Sequence, residues 1–181
     1  MLRVKLRQAN EMDAPSIVAI HVASWRDAYA AILDPDFLSG PIETERLDLW
    51  TRRLRDPVPG QIVQIAERED GTAIGFVCAF RDADPQWGSI IDNLHVVPNL
   101  RGQKVGESLF RSAASLLEHQ GALGGLFLWV FMANPAALRF YQRLGGEIVG
   151  QDVSRIPAAN GKIALRVHWP TLRSVGGCLK A

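Results

Sequence analysis

The chain has 181 residues, 48% hydrophobic and 22% charged, with a formal net charge of +1; this suits one domain with a full core and gives no electrostatic case for nucleic acid or an anionic membrane. No apolar run approaches the ~20 residues of a membrane span, and the opening MLRVKLRQAN is no signal peptide. Cys78 in an apolar run and Cys178 near the end read as reduced thiols of a cytoplasmic protein, and the four histidines lack zinc-ligand spacing, so no metal is expected.

In chain order, residues 3–8 alternate as a first strand. Asp13 is placed to cap a helix through Tyr29, with Pro15 in its first turn and Ile17, Ile20, Ser24 and Ala28 along one side. Trp25 and Tyr29, four apart, share a face of it, while Arg26 and Asp27 read as solvated charges. Residues 33–41 contain Pro35, Gly40 and Pro41 and read as a loop or short helix; residues 44–55 follow as a helix with Leu47, Trp50 and Leu54 on one stripe. Residues 62–68 and 72–80 form a hairpin around Glu69-Asp70-Gly71, and residues 88–97 form a central strand. A helix to Gln120, a strand over 126–131, a helix over 134–144 and strands over 147–152 and 162–169 complete the series. Strands that first meander and then alternate with helices give an α/β or α+β fold with a mixed sheet, residues 1–170 making one domain and 171–181 a C-terminal tail.

The stretch LHVVPNLRGQKVGESLF, residues 94–110, runs from an apolar strand through a Pro/Asn/Arg/Gly turn directly into an amphipathic helix. Such a junction aims the first unpaired N–H groups of the helix, and the positive end of its dipole, at whatever lies above the strand end. That is an anion site, most naturally for phosphate or pyrophosphate. Gly102 and Gly106 keep side chains out of the way, and Arg101 and Lys104 add charge. The spacing is neither a Walker A loop nor G-x-G-x-x-G, which disfavours nucleotide hydrolysis and dinucleotide chemistry. Forty residues on, Asn134-Pro135 starts a short helix on which Ala137, Leu138, Tyr141 and Leu144 share a face before Gly145-Gly146 stops it.

Together the two segments resemble the paired motifs of the GNAT superfamily of N-acetyltransferases, through Val96, Pro98, Arg101, Lys104 and Gly106 in the first and Asn134, Ala137, Tyr141 and Gly145 in the second. Lys104 stands where that family usually has Gly or Ala, and Gly146 replaces its usual Phe. The resemblance implies a mixed sheet of six to seven strands splayed open at a cofactor cleft, with about four flanking helices. It also implies acetyl-CoA as co-substrate, held by Leu94, His95, Val96, Arg101, Gly102, Gln103, Lys104, Val105, Gly106, Glu107, Asn134, Ala137 and Tyr141.

Acetyl transfer to an amine needs a neutral amine, a polarised thioester carbonyl and a proton for the departing thiolate. The resemblance assigns the carbonyl to a backbone N–H near Leu94–Val96 and makes Tyr141 the acid. Asp92, two residues before Leu94 and so on its face of a regular strand, is either the base or the binder of the acceptor's ammonium. Asn93 and His95 face the other side unless a bulge intervenes. Trp25 and Tyr29 are expected at the acceptor wall, with Trp50, Trp87 and Phe80 as further aromatic candidates. The expected acceptor is a small-molecule amine, with a peptide or lysine acetyltransferase as the alternative and a non-catalytic acyl-CoA-binding module behind it. Dimers are frequent in that family, so a homodimer is carried as an expectation, the tail packing on a partner or staying mobile.

Overall fold

The computed structural model describes residues 3–175. In chain order the elements are β1 (Lys5–Gln8), α1 (Ala14–Ala28), α2 (Pro35–Ser39), α3 (Pro41–Arg55), β2 (Gln61–Glu67), β3 (Ala73–Asp84), β4 (Gly88–Val96), α4 (Val105–His119), β5 (Leu126–Phe131), α5 (Pro135–Arg143), β6 (Glu147–Val153), β7 (Ile163–Trp169) and α6 (Leu172–Val175). The seven strands form one sheet in the order β1-β2-β3-β4-β5-β7-β6. Every neighbouring pair is antiparallel except β4 and β5.

Strand alternation divides the core between two layers. Val77 and Ala79 of β3 pack with Ile91, Leu109, Phe110 and Leu117 on the α4 side. Phe76 and Cys78, between them in sequence, pack with Ile17, Ile20, Trp50 and Leu54 on the side of α1 and α3. Central strands covered on both faces read as continuous apolar runs, as IGFVCAF does here. No helix among the described residues is long and apolar enough to cross a membrane.

The β4–β5 pair has only two rungs, Ser89 with Leu126 and Ile90 with Phe127. A glycine contact pins this short junction: a Cβ on Gly88, at φ +84°, would lie 2.3 Å from the Gly125 carbonyl oxygen. Beyond Ile90 the two strands part, so the rest of β4 has a free edge facing a cleft. The splayed mixed sheet expected from the sequence is present.

Two local expectations are corrected. Helix α3 begins three residues early, at Pro41, because Pro suits the first helical turn. That places Ile42 in the core at 0% exposure and leaves Leu47, expected on the buried stripe, 44% exposed. The start of the expected tail is helix α6, whose Leu172 and Val175 are buried in the α4-side core; the Arg173 guanidinium meets Glu118 of α4 at 2.9 Å. The rest of the tail, Cys178 included, lies outside the described residues.

Gly146, which departs from the family pattern, has a packing reason. An added Cβ would lie 2.5 Å from Val167 Cγ1 and 2.6 Å from the Trp169 indole, both fully buried. The indole is fixed further by Nε1 donating to the Leu144 carbonyl at 2.8 Å. Gly146→Ala is therefore expected to destabilise the fold by about 1–3 kcal/mol through overpacking, read as a lower urea midpoint at unchanged slope.

Candidate active site

The cleft left by the parting of β4 and β5 contains two cavities. The first, about 410 Å³, runs from the α4 N-terminus and Arg101 past Leu94 to Asn134 and Tyr141 on α5. The second, about 440 Å³, lies between α3, the bulged part of β4 and residues 152–156. Both are bordered by Tyr29, His95 and Trp129, so they meet there.

At the first mouth, α4 begins at Val105 and its earliest regular bond is Ser108 N–H to the Lys104 carbonyl, 2.9 Å. The N–H groups of residues 102–107 have no acceptor among the described residues, and all of these residues but Gln103 line the first cavity, where the helix dipole adds positive potential. Lys104 is the hinge of this turn, at φ +65°, a left-handed conformation that favours glycine. Its side chain is exposed, so only its backbone enters the donor cluster. The Arg101 guanidinium is paired with Asp27 and reaches the Ser24 carbonyl at 3.5 Å and hydroxyl at 3.4 Å. Asp27 is thus a tether that ties the turn to α1 rather than a bystander charge. Arg26 is likewise engaged, donating to the Leu38 carbonyl at 2.7 Å and meeting Glu43 at 2.9 Å.

Along the free edge of β4, Val97 N–H donates to Ile74 of the β3 side at 3.0 Å. Antiparallel alternation then turns the N–H groups of Leu94 and Val96 away from β3, into the cleft. Across it, Asn134 caps α5 by accepting from Ala137 N–H at 3.1 Å. Tyr141 packs edge-on to Phe140 and Trp169 and faces the first cavity. Burial pushes its phenol well above the ordinary range, and Tyr29 across the junction adds to that. The Tyr29 phenol is pushed up to about 12 by burial, with Arg101 opposing. Both hydroxyls therefore hold their protons at neutral pH.

Asp92 is not where regular alternation places it. Cys78 pairs with Asn93 and Ala79 with Ile91, so Asp92 is the extra residue of a bulge. Its carboxylate turns to the α3 side and meets Arg53 Nη1 at 2.7 Å, while Leu94 packs on the α4 side. The expectation that the two share a face is overturned by that one inserted residue. Asp92, Asn93 and His95 instead border the second cavity together, and Trp25 and Tyr29 border it from α1.

His95 stacks on His21 with centroids 4.5 Å apart, and its Nδ1 lies 3.0 Å from the Ser24 hydroxyl. Burial, reinforced by Arg101 and Arg46, lowers the His95 pKa to about 3; burial first, then the neighbouring His95, lowers His21. Trp50, expected near an acceptor, is instead core and donates its Nε1 to His21 Nδ1 at 3.0 Å. Trp87 packs on Arg166 and Phe80 on Arg53, and neither borders either cavity. Ser24, Arg46, Arg53 and Trp129 are site residues that the sequence reading did not select. Arg46 and Arg53 lie seven apart on one face of α3, and that spacing is the one signal that was available.

A family model described as the acetyltransferase (GNAT) family matches residues 22–146. The uncharacterized N-acetyltransferase YuaI of Bacillus subtilis is 28% identical over 174 residues, covering 95% of this chain and 96% of that protein. Streptothricin acetyltransferase of Streptomyces lavendulae is 32% identical over 110 residues, 59% of this chain and 56% of that one. The PaiA N-acetyltransferase of Thermoplasma acidophilum, solved in complex with coenzyme A, superposes with a TM-score of 0.71 over 93% of this chain and all of the other, at 17% identity, a likeness of fold.

Two predictions follow from the site's own physics. Lys104→Gly relieves the left-handed strain and is expected to raise stability by about 1 kcal/mol, read as a higher urea midpoint. The folded protein resists protonating His21 and His95, whereas the unfolded chain takes up those protons near the ordinary 6.5. Stability is therefore complete above pH 6.5 and falls as pH drops from there towards 3. A urea-midpoint series is expected to slope downwards with acidity already between about pH 6.5 and 5, while most carboxylates are still ionised.

Proposed function

The chain belongs to the GNAT family of acetyltransferases and is an acyltransferase, and from that premise we propose that it moves an acetyl group from acetyl-CoA to a primary amine of a small molecule, by direct attack in a ternary complex. The observation that carries this reading is the meeting of two cavities at Tyr29, His95 and Trp129, one suited to each substrate. Six unpartnered N–H groups at residues 102–107 suit a pyrophosphate, and the free edge of β4 suits the amide-bearing arm that follows it. This cavity fits acetyl-CoA on its own residues. The second cavity, closed by α3 on one side and residues 152–156 on the other, is of small-molecule size. Its walls favour a compact acceptor over a peptide laid along a groove.

Within this reading, Leu94 and Val96 N–H groups polarise the thioester carbonyl and hold the charge that gathers on its oxygen during attack. Asp92, paired with Arg53, draws the acceptor's ammonium to the junction. Once the amine is in the cavity, the charge of Arg46 on the same lining favours its neutral form, the form that can attack. As the C–N bond forms and the C–S bond breaks, Tyr141 supplies its proton to the departing thiolate, and the proton released by the attacking nitrogen returns through solvent to restore the phenol. Trp25 and Tyr29 form the apolar wall that excludes water. A cytoplasmic placement belongs to the same proposal, and the buried free thiol of Cys78 is compatible with it.

Tyr141→Phe is expected to lower kcat by about 100-fold or more, with acetyl-CoA affinity by calorimetry nearly intact. An unchanged kcat removes Tyr141 as the acid. Activity on a peptide panel but on no free amine moves the acceptor to the peptide class.

A further inference from the structure

Resting on the proposed function, the second cavity carries information about what the acceptor contains besides its amine. Arg46 projects from α3 to border that cavity, its guanidinium carbon over the Trp25 ring, 4.9 Å from the centroid. The guanidinium is thus held against that ring, and its side chain is only 14% exposed. Its Nε is buried and has no hydrogen-bond partner among the described residues. The group meets only Glu45, at 2.5 Å through Nη2, and that carboxylate is a half-exposed neighbour in sequence. A rim pair of this kind contributes little, and it leaves the inner donors of the guanidinium unsatisfied.

The other cations of the cavity do not offer this. Arg53 is taken by Asp92 at 2.7 Å and stacks against Trp50 and Phe80. Arg155 is exposed at the edge. Arg46 alone presents a planar, pre-positioned cation with spare donors, and planar cations of that kind match carboxylates. Asp92 borders the same cavity and supplies the opposite charge for an ammonium.

We infer that the acceptor is an amino acid, its carboxylate held by Arg46 and its amine delivered to the junction at Tyr29, His95 and Trp129. A zwitterion matches this cavity at both ends, whereas a simple amine leaves the Arg46 Nε without an acceptor and its charge met only by Glu45 at the rim, and a polycation is repelled by it. The charge of Arg46 extends to the junction, where it reinforces the effect of burial on His95.

The test compares free amino acids with their methyl esters, which keep the amine and remove the negative charge. Leucine, phenylalanine, glutamate and γ-aminobutyrate, each with its ester, are assayed by thiol release from acetyl-CoA. At least one free acid is expected to exceed its ester in kcat/KM by about 10–100-fold, the range of a charge-assisted hydrogen bond. Arg46→Gln is expected to collapse that ratio towards one through KM, and Arg46→Lys to restore part of it, with acetyl-CoA affinity reporting whether each variant is folded. Equal or better use of every ester overturns the inference, as does a ratio unmoved in a folded Arg46→Gln protein or transfer to no free acid at all. If neither variant folds, the ratios of the unaltered protein decide. Failure to bind acetyl-CoA would instead overturn the function itself, whereas transfer to simple amines without preference for a carboxylate leaves that function standing.

Discussion

Two ladder rungs and a glycine contact hold β4 to β5, and the rest of the site depends on how short that junction is. A parallel pair normally consumes the facing N–H and C=O groups of both strands. Here the approach of Gly88 to Gly125 fixes the strands at one end, and the right-handed twist of each carries them apart from there. The sheet is completed on either side by antiparallel partners, β3 for β4 and β7 for β5, so neither strand needs the other for support. An open strand edge is ordinarily a liability, because its unpaired groups invite any extended chain. In this fold the edge is recessed between α4 and α5, where it admits a ligand and is shielded from another sheet.

Three arginines around this opening are braced by an aromatic ring or by a carboxylate. Arg101 is tied to α1 by Asp27, Arg53 to β4 by Asp92, and Arg46 to α1 by the face of Trp25. The braces differ in kind. A carboxylate neutralises the cation it holds, whereas an aromatic face orients it and leaves most of its charge available. Two histidines stacked beneath these arginines stay neutral because burial and the surrounding positive charge both oppose a further proton.

The elements with strong local signals were legible in the sequence. The α4 turn announced itself through proline and glycine beside an amphipathic helix, and α5 through its Asn-Pro start and glycine stop, because caps and turns are decided by neighbouring residues. The β2–β3 hairpin was equally local, read from two apolar runs around Glu69-Asp70-Gly71. Asp92 was not, since a bulge depends on how two strands register and one inserted residue moves a side chain to the other face. Leu47 was expected on the buried stripe with Trp50 and Leu54 and is exposed, because helical spacing gives a stripe but not which edge of it the neighbouring layer covers. Arg46 was unreadable for a third reason. Its meaning comes from the partners it lacks, and a missing partner leaves no mark in a sequence.

Of the five tryptophans, Trp50 and Trp169 are sealed in the core and Trp87 is stacked on Arg166, whereas Trp25 and Trp129 border the cavities. Trp129 stands at the junction itself, beside both. The protein thus carries an optical reporter at each stage of its cycle. Filling the first cavity changes the surroundings of Trp129 alone, and filling the second changes those of Trp25 as well. Unlabelled emission spectra can therefore separate the order in which two substrates arrive.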